Sequence, residues 1–249
     1  MPALTRRQAI KSLAAAGGCA LLPTHSTASA NNQWRPKPGD EAFLDDLQRQ
    51  GCLFFWEQAS EKTGQVLDRA RNDLNGKRDP RRMASIAATG FGLTALCIAD
   101  KRKFLPHAQI VDRVRTTLDW HLNKFPEVHG FYYHFSDLET GERVKDVELS
   151  SIDTSLLLCG VLMAHAYFDD PKIKSLSKQI YERVDWPWML NGGKAFSMGW
   201  RPESGFLDGR WSHYCELMMI YLLGIGSPTH PVDPDTWKAW ERPVVHYKE

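Results

Sequence analysis

The sequence predicts an all-α protein, a partial (α/α)6 toroid of αα-hairpins with short β-hairpins in its long loops. Three observations predict it. Apolar residues recur at helical spacing in six segments. These segments alternate between amphipathic and apolar nearly all round, and a helix apolar on every side must be enclosed by others. The connections alternate as well. Those entering the apolar helices are long (60–83, 126–149 and 190–211) and those leaving them are short ("KRKFLPH", "DDP", "IGSPTHP"). The long ones begin about 65 residues apart, an internal repeat of a helix-loop-helix unit.

Residues 1–30 read as an export signal rather than part of the fold. "TRRQAIK" carries twin arginines, a short small-and-apolar run follows, and "ASA" at 28–30 is a cleavage site. The run is too short to span a bilayer, so no membrane span is expected. Twin-arginine export machinery is an expected partner, and the periplasm or the exterior the expected location. A lipoprotein alternative at Cys19 is disfavoured by Ala16, where a bulky aliphatic belongs. Residues 31–39 read as a linker, and 40–249 as the folded domain.

The first helix starts at Asp40, a candidate N-cap, and puts Phe43, Leu44, Leu47, Phe54 and Phe55 on one face. The second covers 84–101 and the third 107–125, with Ile110, Val111, Val114, Leu118 and Leu122 in a stripe. The fourth covers 150–168. The fifth begins with Pro171 at N1 behind Asp170, a good start signal. The sixth, 209–224, is stopped by Gly224, Gly226 and Pro228 and carries Glu216 in its first turn. Three hairpins make an open arc, and a fourth unit starts at Asp233, Pro234, Trp237 and Trp240. Closing a ring of six hairpins at this period takes roughly 390 residues, so the chain reads as the N-terminal half of a larger, truncated domain.

The chain has 31 basic and 30 acidic residues. Cleavage after Ala30 removes Arg6, Arg7 and Lys11 and no acid, leaving 28 bases against 30 acids and a net charge of −2. A near-neutral chain argues against nucleic acid as the main partner. Cys52, Cys97, Cys159 and Cys215 lie in apolar helical patterns without CxxC spacing, and read as buried thiols rather than disulfides. No GxSxG, HExxH or Walker-type loop is present. His213 and Cys215, two apart, make a poor metal pair on a helix. A site joining them to His129 and His134 would have to be assembled in three dimensions, and neither metal nor cofactor is expected.

In an arc of hairpins all long loops emerge at the N-terminal ends of the inner helices, where function usually sits. The first loop holds Asp68, Arg69 and Arg71. The second, "HGFYYHFSDLETGERVKDVELSS", has alternating aromatics and an "ETGE" turn, so a β-hairpin is expected. It contains His134, a candidate substrate-binding residue with Asp68, Arg69, Glu148, Asp153, Trp200, Trp211 and Tyr214, and delivers Glu148 and Asp153 to the fourth helix. The third, another expected hairpin, brings Trp200, Trp211 and Tyr214 towards Glu216. Aromatics interleaved with carboxylates and an arginine suit a carbohydrate, whose ring faces stack and whose hydroxyls need donors and acceptors. Glycoside hydrolysis needs two carboxyl groups, one protonated. An acid among Met219, Ile220 and Leu223 would be held protonated by desolvation.

Plainer readings exist for each residue. Glu216 could favour the positive end of a helix dipole. Asp153 stands three residues after Ser150, a capping-box spacing. Glu148 could be an ordinary loop acid, the aromatics core residues, and the run from Arg69 to Arg82 a solvated loop.

"FFWEQAS…TGQVLDRAR", "SIAATGFGLTAL", "HGFYYHFSDLETG", "ELSSIDTSLLLCGVL", "NGGKAFSMGWRPESGFL" and "YLLGIGSPTHP" together resemble the glucoamylase-like (glycoamylase) domain. This family of exported bacterial (α/α)6 toroids includes endo-β-1,2-glucanases and a domain of cyclic β-1,2-glucan synthases. The resemblance runs from about Phe43 to the C-terminus. It implies an oligo- or polysaccharide partner, a β-glucan with β-1,2 linkage, and inverting hydrolysis. By position, Glu216 corresponds to the family's candidate general acid. Glu148 and Asp153 correspond to acidic residues of the cleft, and Asp68 with Arg69 to its "DR" pair. The general base is expected from the family's C-terminal half. Cys215 departs from the smaller residue common there. A non-catalytic periplasmic glycan-binding or assembly protein is the alternative.

Overall fold

The computed structural model describes residues 37–73 and 77–247. The export signal at 1–30 and most of the 31–39 linker lie outside the described residues. Glu41–Glu249 form one unit. Of Met1–Asp40, residues 37–40 are described, and there the Lys37 N–H donates to Asp40 Oδ2 at 2.7 Å. Asp40 therefore fixes the turn before a helix and is itself the first helical residue.

Seven α-helices and eight short strands follow among the described residues: α1 (Asp40–Glu57), β1 (Val66–Leu67), β2 (Met83–Ser85), α2 (Ile86–Lys101), α3 (His107–Asn123), β3 (Glu127–Val128), β4 (Phe131–Tyr132), β5 (Phe135–Asp137), β6 (Leu149–Ser150), α4 (Ser151–Tyr167), α5 (Pro171–Glu182), α6 (Trp186–Leu190), β7 (Gly199–Arg201), β8 (Gly205–Phe206) and α7 (Met218–Ile225). The predicted fourth unit begins with a 3-10 helix, Pro234–Lys238.

The inner helices α2, α4 and α7 pack in a row, with α3 and α5 behind them. The α2–α4 seam is set by two glycines. A Cβ on Gly160 would lie 2.0 Å from the Gly90 carbonyl oxygen, and one on Gly90 2.4 Å from that of Leu156. Only hydrogen fits where two backbones approach this closely. The outer helices bury one stripe each, Ile110, Val114 and Leu118 on α3 and Ile173, Leu176 and Ile180 on α5. As expected, Asp170 caps α5: its Oδ1 accepts from the Ile173 N–H at 2.8 Å, and Pro171 opens the helix.

Three expectations need correction. The apolar face of α1 is largely uncovered: Phe43, Leu44 and Leu47 are 67%, 51% and 58% exposed. Burial on this helix is limited to its C-terminal half, where Cys52 is buried, Phe55 faces Gly92 and the Arg113 guanidinium lies 4.3 Å over the Trp56 ring. The inner helices, as an open arc of hairpins implies, are not enclosed on every side. Phe91 on α2, Met163 on α4 and Leu222 on α7 are exposed, because no further helix among the described residues covers that side of the row. The second correction concerns the thiols: Cys52 and Cys97 are free and buried as expected, whereas Cys159 and Cys215 are free but only half-buried.

The third correction is the start of the sixth predicted helix, which begins at Met218 instead of 209. The backbone of 210–212 is used elsewhere. Arg210 bridges Ser197, the Trp211 N–H donates to the Phe196 carbonyl at 2.9 Å, and Ser212 accepts from the Glu241 N–H at 2.8 Å. A chain paired to two neighbours in this way cannot coil into a helix.

The long loops become small sheets that tie the helix ends together. β1, β2 and β5 form one antiparallel sheet, and β6, β7 and β8 another. The second loop is thus more than one hairpin: β3 pairs β4 locally, while β5 reaches back to β2. The "ETGE" turn is present. Gly141 adopts a φ of 73°, and the Asp137 N–H donates to the Glu142 carbonyl at 2.8 Å. The third loop gives the expected hairpin, β7–β8, with Trp200 opposite both Leu149 and Phe206.

Candidate functional site

Each of the two longer inner helices starts directly from a strand. Ser85 ends β2 and caps α2; Ser150 ends β6 and caps α4. Because β5 pairs with β2 and the β6 chain pairs with β7, residues far apart in sequence meet at these helix starts. His134 sits at their junction. Its N–H donates to the Glu148 carbonyl at 3.0 Å, and its own carbonyl accepts from the Ile86 N–H at 3.3 Å. The imidazole stacks on Phe135 at 3.8 Å and 19°.

Two carboxylates face the two ring nitrogens. Glu148 Oε1 lies 3.2 Å from His134 Nδ1, and Asp153 Oδ1 lies 3.5 Å from Nε2. The Arg201 guanidinium, on β7, stands 3.8 Å from the other Glu148 oxygen. Asp153 also serves as the capping partner that the serine spacing foretold. The Ser150 hydroxyl donates to Asp153 Oδ2 at 2.5 Å and accepts from the Asp153 N–H at 3.2 Å. The capping reading of Asp153 is realised, and the same carboxylate faces His134.

The electrostatics follow from this packing. Burial alone would lower the His134 pKa, but the hydrogen bond to Glu148 and the charges of Asp153, Glu148 and Asp68 outweigh it, so His134 is held above its ordinary value. The same hydrogen bond holds the Glu148 carboxyl below its ordinary value, against its partial burial. Burial raises Asp153, opposed by the Ser150 hydroxyl and by His134.

The remaining predicted residues divide into those joined to this cluster and those apart from it. Asp68 follows β1, donates its N–H to the Met83 carbonyl at 3.0 Å and acts on His134 by its charge. Arg69, 71% exposed, pairs with Asp68 at 2.5 Å. Trp200, half-buried, neighbours Arg201 on β7 and leans against Trp188 at 5.8 Å. Trp211 is half-buried and anchored: its Nε1–H donates at 2.9 Å to the Ser151 hydroxyl, which donates to the Ser197 carbonyl at 2.7 Å. Trp211 therefore fastens the third loop to α4 and is no free platform. Tyr214 is exposed and tilts against Trp240 at 5.9 Å.

Glu216 departs most from expectation. It lies before α7, outside the helix, and is exposed instead of being enclosed by Met219, Ile220 and Leu223. The late helix start is the cause, since it leaves residue 216 in the turn that leads in. The desolvation invoked for a protonated acid is absent among the described residues.

The residue that sequence reasoning missed is Arg201. The signal available was a cation in the strand of a predicted hairpin beside Trp200, but its proximity to Glu148 depends on the β6–β7 register, which pairs loops about fifty residues apart. The three histidines weighed as metal ligands do not converge. His129 pairs with Asp185 at 2.9 Å and stacks on Trp188, His213 faces Glu241 at 3.2 Å, and His134 lies in the cluster. No metal-binding group of three or more such side chains occurs among the described residues. Clefts of about 530 and 590 Å³ elsewhere hold none of the predicted residues.

This fold is that of a glycoside hydrolase-like α/α toroid, and comparisons with known proteins agree. The glycoamylase family model, described as "Putative glucoamylase", matches residues 208–249. A structure described as a putative glucoamylase from Bacteroides uniformis superposes with a TM-score of 0.75 at 21% identity, over 84% of this chain and 52% of that one. An endo-β-1,2-glucanase from Chitinophaga pinensis, in complex with sophorotriose and glucose, gives 0.70 at 22%, over 80% and 50%. A β-1,2-glucanase from Parabacteroides distasonis gives 0.71 at 26%, over 83% and 30%. The first two likenesses show the fold, and this chain spans about half the length of those structures. A search among curated proteins found no match.

Proposed function

We propose that the chain is the glycan-binding, acid-bearing part of an exported glycoside hydrolase whose substrate is a β-glucan, β-1,2-linked. The observation that carries the reading is the cluster of His134, Glu148, Asp153 and Arg201 at the loop end of a fold shared with β-1,2-glucanases. Carboxylates in the cluster accept hydroxyl protons of a sugar, Arg201 donates to its oxygens, and Trp200 offers a half-buried ring beside them. Asp68 and Arg69 flank this surface. Glu216 is the proposed acid, protonating the leaving glycosidic oxygen, with Trp211 and Tyr214 near it in the chain. The twin arginines at 6 and 7 support export to the periplasm or the exterior as part of this reading.

Hydrolysis with inversion also needs a base that activates water on the opposite face of the sugar. One carboxyl cannot do both. The chain alone is therefore proposed to bind glucan with little or no turnover. The exposure of Glu216 favours the related reading of a glycan-binding protein without catalysis. Incubation with linear β-1,2-glucan separates the outcomes. Retarded migration of the chain in a glucan-containing native gel, without new reducing ends, is expected. Robust release of reducing ends would refute the need for a second half, and absence of both would refute the substrate.

A further inference from the structure

The imidazole of His134 has an acid on each side. A neutral imidazole carries one N–H and one lone pair, so it can donate to Glu148 or to Asp153 but turns a lone pair on the other. Nδ1 is within hydrogen-bond distance of Glu148 at 3.2 Å and Nε2 makes an ion-pair contact with Asp153 at 3.5 Å, an arrangement that an imidazolium, with a proton on each nitrogen, satisfies on both sides. The three residues also belong to different parts of the chain. His134 stands between β4 and β5, Glu148 immediately before β6, and Asp153 in the first turn of α4.

We propose that His134, as an imidazolium, is the positioning residue of this surface: it ties Glu148 to Asp153, and its deprotonation releases them and weakens carbohydrate binding. The proposal rests on the glycan-binding reading given above and adds a control by pH to it.

The groups facing the ring define what deprotonation does. Glu148 comes from the chain leading into β6, Asp153 from α4 and Asp68 from the end of β1, all acidic. Arg201 on β7 reaches the ring only through Glu148. Phe135 covers one ring face without charge. With the imidazolium present, a cation stands between the two carboxylates. Without it, Glu148 and Asp153 face each other as like charges, and the nearest cation left to Glu148 is Arg201, 3.8 Å away on the opposite side. A carboxylate free to turn towards β7 no longer presents a fixed pair of acceptors to adjacent sugar hydroxyls, and affinity pays for their ordering.

The test follows His134 by NMR pH titration of the 249-residue chain and, separately, binding of sophorotriose by calorimetry between pH 5 and 9. His134 is expected to titrate above an ordinary histidine, and Glu148→Gln is expected to move that midpoint down. His121, buried and pushed down to about 4, supplies an internal resonance that neither change affects. Sophorotriose affinity is expected to fall about tenfold through the His134 midpoint, and to become flat with pH in His134→Gln. A His134 midpoint at or below the ordinary value, or one that E148Q leaves in place, would overturn the tie. Affinity that declines with the same profile in H134Q would overturn the control. If the chain binds no sophorotriose at any pH while the titration behaves as described, the tie stands and the substrate assignment fails.

Discussion

The N-terminal ends of α4, beside the His134 cluster, and of α7, beside Glu216, are built in opposite ways. At α4 a strand feeds the helix, Ser150 caps it, Asp153 answers the cap, and His134 joins Asp153 to Glu148. Almost every polar group there has two jobs. At α7 the helix starts at Met218 behind Leu217, whose side chain makes no capping hydrogen bond, and Glu216 projects from the preceding turn. The same contrast runs down the helices. α4 meets its neighbour α2 backbone to backbone at Gly160 and Gly90, whereas Gly224 of α7 faces the side chains of Phe196 and Val232. The lesson is that the carboxylates around His134 are fixed where two helices and two sheets meet, while Glu216, the proposed acid, lies exposed in a turn.

The largest expected effect probes the seam. Gly160→Ala places a methyl 2.0 Å from the Gly90 oxygen, a clash that only a shift of one helix relieves. It should cost about 3 kcal/mol or more in urea unfolding. Gly224→Ala meets the Phe196 ring at 3.0 Å, where a side chain can give, and should cost about 1 kcal/mol. Equal costs would erase the comparison.

Next is the cap. Ser150→Ala removes the acceptor for the Asp153 N–H and the donor to its carboxylate, and should cost about 1 kcal/mol. It should also weaken glucan binding, which a cap acting on the helix alone would leave unchanged.

A smaller effect depends on pH. His134 is raised in the folded chain, so its contribution is fully present below its ordinary value of 6.5 and is lost as pH rises through the raised value. Glu148 is lowered, so its contribution is present above its ordinary value of 4.5 and is lost as pH falls. The stability gap between the wild-type chain and H134Q should therefore be widest between those limits and shrink on either side. A gap unchanged from pH 4 to 9 would mean that the cluster is not ionic. The smallest effect is expected at Glu216→Gln, within about 0.5 kcal/mol, as for an exposed residue without a partner among the described residues.

The contrast also explains what could be read from the sequence. Helices α2 to α5 were legible because their stripes and caps are local. Ile110, Val114 and Leu118 show helical spacing, and Asp170 and Pro171 announce a start. Ser150 and Asp153 were legible as a box for the same reason. Glu216 was misplaced because "GRWSHYCELMMIYLLG" has helical composition throughout, while its first residues are taken by contacts with Phe196 and Glu241 that local pattern does not encode. Phe43, Leu44 and Leu47 form a clean apolar face, but periodicity states only that a face wants cover, not that this chain provides it. His134 was legible as a candidate binding residue of the second loop, but not as the partner of two acids. Its place between two acids depends on β-pairings of two to three residues each, too short to leave a periodic signal.

The central proposal is that the loop end of α4 is a carbohydrate-binding surface on which Glu148 accepts from the sugar. Calorimetric titration of the chain with linear β-1,2-glucan oligosaccharide at pH 6, compared with Glu148→Gln, tests it most directly. The account predicts saturable binding by the wild-type chain and a loss of about tenfold or more in the variant, the weight of one charged hydrogen-bonding group. No binding by a folded wild-type chain, or equal affinity in both proteins, would contradict it.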